Sequence, residues 1–287
     1  MPLTLSARFA FDLDQASDTL MQFEVAALDD QRILDAQLDM PGHQTVTRVP
    51  AQDGIGERMW MRAEGHVEVD YRASLAIDRP IAELEPLEEV PLRELPGEAV
   101  PYLIESRYCH GSQFLDFTQS EFGAIEPGGA RVAAIRDWVA GNIAYTPGAS
   151  NAATTATDTF HTGAGICRDF AHLFVTLARA CAIPARYVAC YAPGVVPQDF
   201  HAVAQVFLND TGQSTGGAWH LVDATGMADL SQAAIIGVGR DAGDVSFMTS
   251  FGPMRFESSE VSVSHEPQAP DGTDERPSPP NKEAQPA

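Results

Sequence analysis

Positively charged residues are scarce in this chain of 287 residues. Lysine and arginine together number 18 against 40 aspartates and glutamates, and the formal net charge is −22 at neutral pH. Only one of the basic residues is a lysine, Lys282. Nucleic acids and anionic membrane surfaces repel such a chain, so we expect neither as a partner. The acidic surface is typical of a soluble protein and indicates no function by itself.

Long apolar runs and closely spaced cysteine pairs are also missing. No stretch is long enough to span a bilayer, and the first residues lack the basic start and apolar core of a secretory signal. The four cysteines, Cys109, Cys167, Cys181 and Cys190, include no C-x-x-C pair. We therefore expect reduced thiols in a cytoplasmic protein, with Cys181 and Cys190 in the core.

The composition changes along the chain and divides it into four segments. Residues 1–80 alternate apolar and polar side chains, which predicts half-buried antiparallel strands and a β-sandwich-like N-terminal domain. Residues 81–100 form a proline-rich acidic linker, and residues 101–263 carry the helical and strand-like runs of a catalytic domain. Residues 264–287 contain no large apolar side chain and are expected to be a disordered tail. The predicted fold class is α+β, with an antiparallel β-domain ahead of the catalytic core.

Cys167 is the strongest candidate for a reactive residue. It follows a glycine-marked turn at residues 163–165, and the apolar side chains after it have the spacing of an amphipathic helix that begins at the cysteine. A thiol at a helix N-terminus lies at the positive end of the helix dipole, close to unpaired N–H groups, and both stabilise the reactive thiolate. We therefore expect Cys167 to be a nucleophile rather than a buried structural thiol.

Two later segments place a histidine and an aspartate in a predicted β-hairpin. Residues 201–208 and 218–223 are mostly apolar, and residues 209–217 between them are almost all turn formers. A hairpin centred on Gly212 places His201 directly opposite Asp223, with their Cβ atoms about 5 Å apart on one face. The order Cys167, His201, Asp223 is that of a thiol nucleophile, its base and the carboxylate that orients the base.

Four ordered motifs between about residues 100 and 250 resemble the transglutaminase-like cysteine-enzyme superfamily, in its bacterial branch. They are Gly165-Ile166-Cys167-Arg168-Asp169-Phe170-Ala171-His172, Ile183-Pro184-Ala185-Arg186-Tyr187-Val188, His201-Ala202 and Trp219-His220-Leu221-Val222-Asp223-Ala224-Thr225. The resemblance implies a papain-like α/β core with Cys167 as nucleophile, His201 as base and Asp223 as the orienting carboxylate. The chain departs from the family at Val203, where a tryptophan is frequent.

The resemblance implies acyl chemistry on peptide or amide bonds without fixing the substrate, because the family includes peptidases, amidases, deamidases and protein cross-linkers. This chemistry requires no metal and no organic cofactor. We expect a hydrolase acting on a peptide or protein, since water is the default acceptor at an open cleft. The alternatives are a protein-glutamine acyltransferase and a non-catalytic peptide-binding module on the same fold. A zinc site built from Cys167, His201 and neighbouring histidines matches no compact ligand spacing. The sequence indicates no oligomeric state.

Five further side chains have weaker claims to a role. His161 is a candidate second donor to the oxyanion, beside the backbone N–H of the nucleophile. His172, one turn beyond the nucleophile, is a candidate lining residue of the same cleft, and His220 is predicted to be structural. Arg168 and Asp169 lie in the first helical turn and are expected to support the site without reacting.

Overall fold

The computed structural model of the protein describes residues 2–42, 46–209 and 216–265. Within these residues the chain forms thirteen β-strands. They are β1 (Leu3–Met21), β2 (Gln31–Asp39), β3 (Val46–Pro50), β4 (Glu57–Ile77), β5 (Glu88–Glu89), β6 (Ala144–Tyr145), β7 (Ala164–Gly165), β8 (Ala185–Tyr191), β9 (His201–Asn209), β10 (Ala218–Val222), β11 (Ala234–Gly239), β12 (Met248–Ser250) and β13 (Met254–Ser264).

Four α-helices lie between β5 and β8. They are α1 (Leu115–Phe122), α2 (Gly128–Asn142), α3 (Ala156–Thr162) and α4 (Cys167–Ala180). Short 3₁₀ helices are formed by Gln52–Gly54, Leu92–Glu94, Val100–Leu103, Gly111–Phe114 and Leu230–Gln232. In the described part of the chain, no helix is both long and apolar enough to cross a membrane. The α+β class is confirmed, and α4 begins at Cys167 as its apolar spacing predicts.

The first sheet has the two longest strands, β1 and β4, at its centre. The strand order is β12-β1-β4-β2, while β13 pairs with β1 and β3 pairs with β4. Every one of these pairs is antiparallel. Alternate side chains of the central strands, among them Phe9, Phe11, Val67 and Tyr71, are buried in one core. The antiparallel strands predicted from the alternation in residues 1–80 are therefore present.

Both ends of the described chain contribute to this first sheet. Strand β13 runs beside residues 4–13 of β1, and the core of the sheet also contains Tyr191, Ala234 and Ile236 of the second sheet. The sequence analysis assigned residues up to 263 to the catalytic domain, whereas β12 and β13 lie in the sheet of the N-terminal segment. A lone sheet leaves its apolar face uncovered, and here residues of the second sheet pack against it. Of the predicted tail, residues 266–287 lie outside the described residues.

The second sheet carries the predicted hairpin and supports the site. Its order is β10-β9-β8-β11, and the short strand β5 pairs with the end of β9. Helix α4 contributes Leu173, Phe174 and Leu177 to a core that also contains Val206 of β9. The amphipathic pattern of α4 thus fixes the helix against the sheet, and its first residue is brought to one end of β9.

Candidate active site

Cys167 is the first residue of α4, and its neighbours fix where the helix starts. Asp169 closes the first turn, because its Oδ2 atom accepts a hydrogen bond of 2.9 Å from the backbone N–H of Ile166. Asp169 is fully buried, and Gly165 leaves room for it, since a Cβ at position 165 would lie 2.7 Å from the Cβ of Asp169. The thiol of Cys167 is therefore held at a helix N-terminus while it stays partly exposed.

The buried carboxylate of Asp169 is neutralised by its neighbours. Arg168 donates to Oδ1 of Asp169 from Nε at 3.1 Å and from Nη2 at 2.8 Å, and the hydroxyl of Ser150 donates to Oδ2. Arg168 also donates to the backbone carbonyl of Asn151 at 2.8 Å. A buried carboxylate needs such partners, and these ones tie the loop before α3 to the start of α4. Both residues thus support the position of the thiol.

His201, the first residue of β9, interacts with both Asp223 and Cys167. Its Nε2 atom lies 3.2 Å from Oδ2 of Asp223. Burial acts to lower the pKa of His201, but its interactions with Asp223 and with the thiol of Cys167 outweigh burial and raise this pKa to about 9. Burial acts to raise the pKa of Asp223, and the interaction with His201 outweighs it, so that the pKa of Asp223 is lowered. The imidazolium and the carboxylate therefore stabilise each other.

The second ring nitrogen of His201 is the one available to the thiol. Nδ1 is buried and has no hydrogen bond of normal geometry to any described residue. The thiol of Cys167 lies 4.0 Å from the backbone carbonyl oxygen of Phe200, the residue that precedes His201. The start of α4 and the start of β9 are thus brought side by side, one carrying the thiol and the other the imidazole.

The predicted register of the hairpin is wrong by two residues, although the two side chains meet. Ala218 pairs with Leu208 and Val222 with Ala204, so the continuing register sets position 223 against position 203 rather than 201. Because side chains repeat every two residues along a strand, His201 still faces the same side as Asp223, as its diagonal neighbour. The long loop allows this shift. Its residues 210–215, including the predicted centre at Gly212, lie outside the described residues.

Asp223 follows the end of β10 and is held by the turn behind it. Its Oδ1 atom accepts hydrogen bonds from the backbone N–H and the hydroxyl of Thr225, at 2.8 and 2.7 Å. Its Oδ2 atom accepts bonds from the backbone N–H groups of Met227 and Ala228, at 3.1 and 2.9 Å, in addition to His201. These donors stabilise the ionised carboxylate and fix its orientation toward the imidazole.

The nucleophile and the imidazole open into a cleft of about 400 Å³. Tyr187 and Phe200 of the catalytic domain form part of its wall. Gln22, Phe256 and Ser259, which lie in or next to the first sheet, form another part. The sequence analysis assigned no role to the N-terminal sheet, and the structure makes it part of the cleft surface.

Tyr145 is a site residue that the sequence analysis missed. Strand β6 pairs in parallel with β7, so Tyr145 lies beside Gly165 and close to the nucleophile. Burial and the neighbouring thiol of Cys167 raise the pKa of Tyr145 to about 12, and its hydroxyl also interacts with the backbone N–H of Cys167. The hydroxyl is thus protonated at neutral pH and can donate a hydrogen bond beside the thiol. Tyr145 ends the run Asn142-Ile143-Ala144-Tyr145, but no local signal in that run distinguishes it from a core tyrosine.

None of the other histidines singled out in the sequence is among the residues that line the cleft beside Cys167. His161 is exposed at the end of α3 and does not line the cleft. His172 is fully buried, stacks on Tyr108 with ring centres 4.9 Å apart and accepts a hydrogen bond of 3.0 Å from the N–H of Ala242. Burial lowers the pKa of His172 to about 4, so this ring is neutral at neutral pH. His220 lines a separate cavity of about 380 Å³ whose lining includes neither the nucleophile nor the imidazole partner.

Among the described residues, one group of side chains brings three potential metal ligands together. It consists of Asp12, His66 and Glu257, and it lies on the first sheet with two of the three exposed. Arg255 contacts both Asp12 and Glu257, so part of the negative charge is already paired. Cys167 and His201 belong to no such group among the described residues.

Three comparisons with known proteins found similar sequences or structures. The model of the family described as the transglutaminase-like superfamily matches residues 117–224. The crystal structure of a candidate cysteine protease from Cytophaga hutchinsonii is 30% identical and superposes with a TM-score of 0.85, covering 94% of this chain and 92% of that chain. The uncharacterized protein ML0607 of Mycobacterium leprae (strain TN) is 33% identical over 126 residues, which are 42% of this chain and 43% of that protein. The chain thus matches less than half the length of this last relative.

Proposed function

The chain belongs to the transglutaminase-like superfamily, and on that premise we propose that it is a cysteine-dependent acyl-transfer enzyme that hydrolyses peptide or amide bonds. In this proposal Cys167 is the nucleophile, His201 the acid and base, and Asp223 the residue that orients the imidazole. The proposed substrate is a peptide or protein segment. The four cysteines are unpaired, which supports the cytoplasm as the proposed compartment.

The observation that carries the proposal is the position of His201, whose Nε2 atom lies 3.2 Å from Oδ2 of Asp223 and which begins β9 beside the thiol of Cys167. These two partners raise the pKa of His201 to about 9 despite its burial. A buried histidine without such partners loses its proton, as His172 does. At neutral pH this leaves a positive charge on the imidazole beside the thiol of Cys167. The imidazolium is also the form that can protonate a leaving amine.

The first half of the reaction forms a thioester. The thiolate of Cys167 attacks the substrate carbonyl, a C–S bond forms, and the carbonyl oxygen becomes an oxyanion. The backbone N–H of Cys167 and the hydroxyl of Tyr145 are the proposed donors to this oxyanion, since both lie beside the thiol. Loss of one such donor typically costs about 3 kcal/mol of transition-state stabilisation. The C–N bond then breaks, and His201 donates its proton to the departing amine.

The second half of the reaction releases the acyl group. His201, now neutral, takes a proton from water as the water attacks the thioester carbonyl. The C–S bond breaks, the carboxylic acid product leaves, and Cys167 returns as a thiolate beside the imidazolium. An amine in place of water would give transfer instead of hydrolysis through the same steps. Asp223 holds the Nε2–H of His201 throughout, so Nδ1 stays directed at the reacting atoms.

Alkylation by iodoacetamide, followed by mass mapping of each cysteine, tests this proposal. Cys181 is a matched internal control, because it is also partly exposed while burial raises its pKa. We expect Cys167 to react about tenfold faster than Cys181 at pH 6, and His201→Ala to slow Cys167 alone. Equal rates at both cysteines, unchanged by His201→Ala, would contradict the proposal.

A peptide-like electrophile and product analysis extend the same test. The electrophile should label the wild type and not Cys167→Ala. The products formed from an amide substrate in the presence of an added primary amine are then analysed by mass spectrometry. An acid product indicates hydrolysis, and a product that contains the added amine indicates transfer. Turnover that persists in Cys167→Ala would rule out a cysteine-dependent enzyme.

A further inference from the structure

Strand β13 forms one flank of the cleft and is an edge strand of the first sheet. It pairs with β1 along one side, and no described strand pairs with its other side. Phe256 and Ser259 of β13 line the cleft that contains Cys167 and His201. A sheet edge with unpaired backbone groups therefore borders the proposed reactive thiol.

The outward side of β13 is identified by one residue, Val263. The side chain of Gln198 donates from Nε2 to the carbonyl of Val263 at 2.9 Å and accepts from the N–H of Val263 at 2.9 Å. Both backbone groups of Val263 thus point away from β1. In an antiparallel pair this direction repeats at every second residue, and the register is continuous from Val263 to Ser259. The N–H and C=O groups of Val261 and Ser259 therefore also point away from β1.

The carboxamide of Gln198 occupies the edge as the peptide group of a neighbouring strand would. Gln198 belongs to the loop that continues through Phe200 into His201. Its two hydrogen bonds close the gap between this loop and β13 at Val263. Ser259, two outward-facing positions further along β13, lines the cleft, so a chain lying along this part of the edge passes the thiol.

Aromatic side chains accompany the free part of the edge. Phe256 is 42% exposed, and its ring centre lies 5.8 Å from that of Phe247. Phe247 in turn lies 4.8 Å from Phe200, next to the imidazole. These three rings form an apolar surface that continues from β13 to the reacting groups. Such a surface fits an apolar side chain of a bound peptide.

We propose that the substrate is an extended, locally unfolded polypeptide that adds as a strand to the outer edge of β13. Its backbone pairs with the outward groups of Ser259 and Val261, and a large apolar side chain packs against Phe256 and Phe247. This binding mode delivers one substrate carbonyl to Cys167, and in that respect it rests on the proposed function. Backbone pairing gives affinity with little sequence dependence, while the aromatic surface gives side-chain preference.

Amide hydrogen exchange followed by NMR, with the full-length Cys167→Ala protein, tests strand addition without any chemistry. The probe is a fluorescein-labelled octapeptide of alanine and threonine with one central phenylalanine. At saturation we expect exchange at Ser259 and Val261 to slow at least about tenfold, as for newly bonded amides. The amide of Val263, already bonded to Gln198, and that of Glu260, which faces β1, should not change. Absence of binding at millimolar peptide, or protection without this alternation, would overturn the proposal.

A variant pair isolates the backbone group. Ser259→Pro removes an outward N–H and leaves the ladder with β1 intact, which an edge strand tolerates. We expect it to weaken peptide binding about tenfold in fluorescence anisotropy, whereas Ser259→Ala should bind as the parent does. Equal binding by both variants would contradict strand addition. If Ser259→Pro fails to fold, the hydrogen-exchange pattern of the Cys167→Ala protein still tests strand addition.

The two proposals can fail separately. Alternating protection of the edge without alkylation or labelling of Cys167 would support strand addition and contradict the proposed enzymatic function. Labelling of Cys167 without protection of Ser259 and Val261 would support the enzymatic function and contradict strand addition.

Discussion

Replacing His201 with glutamine should change how the stability of the protein depends on pH. The pKa of His201 rises from its ordinary value of 6.5 to about 9 in the folded protein. A tenfold change in proton affinity between the folded and unfolded states corresponds to about 1.4 kcal/mol. The imidazolium therefore stabilises the folded state by on the order of 3 kcal/mol.

The sign of the effect follows from the direction of the pKa change. Because the pKa of His201 is higher in the folded state, this stabilisation is fully present below about pH 6.5 and is lost as the pH rises through about 9. The pKa of Asp223 is lowered, so its own contribution is present above about pH 4 and is lost as the pH falls further. The pair is therefore most stabilising between about pH 4 and pH 6.5.

Urea unfolding of the wild type and His201→Gln at about pH 6 and about pH 9.5 measures this effect. The stability difference between the two proteins should be larger at the lower pH by on the order of 3 kcal/mol. A difference that does not change with pH would refute the assignment of a charged, paired His201. NMR titration of the imidazole then separates the partners. Asp223→Asn should lower the pKa of His201 more than Cys167→Ala does, because the bond to Asp223 contributes more.

Two further predictions concern residues that line the cleft or lie beside the thiol. Tyr145→Phe should lower kcat on an amide substrate about a hundredfold with little change in KM, if its hydroxyl stabilises the oxyanion; steady-state kinetics showing unchanged kcat would exclude that role. Gln22 is 2% exposed, and neither polar atom of its carboxamide has a partner among the described residues, so Gln22→Met should raise the free energy of unfolding by about 1–3 kcal/mol. Gln31 is the matched control, since its equally buried carboxamide makes hydrogen bonds of 2.7–2.8 Å to the backbone of Ala26 and Ile235, and Gln31→Met should destabilise in the same urea assay. Destabilisation by Gln22→Met would show that Gln22 has a partner, such as a bound water.

The parts of the fold that local periodicity determines could be predicted from the sequence. Strands β1 and β4 bury alternate side chains, and that alternation is visible in residues 1–80. Helix α4 is buried all round from Asp169 to Arg179, but its large apolar residues still recur at helical spacing, and its start at Cys167 follows from the glycines before it and that spacing after it. These patterns depend on which face of an element meets the core, so neighbouring residues suffice to reveal them.

The placement of β13 could not be predicted in this way. Six consecutive residues from Arg255 to Glu260 are exposed, so most of the strand shows no alternation between a buried and an exposed face. Its partner residues in β1 lie about 250 positions earlier in the chain, and no local signal encodes a pairing over that distance. The same limitation applies to Tyr145, which reaches the thiol through a two-residue parallel pairing of β6 with β7. Both features depend on pairings between strands that are separated in the sequence.

The hairpin shows how His201 and Asp223 can come into contact as predicted although the predicted strand register is wrong. The sequence analysis placed Asp223 by symmetry about the loop. In the structure its Oδ2 atom accepts hydrogen bonds from His201 and also from the N–H groups of Met227 and Ala228 in the turn that follows. The turn after β10 therefore fixes the carboxylate independently of strand pairing. A shift of two residues preserves the face, and the turn supplies the remaining precision, so His201 and Asp223 can meet without being directly opposed.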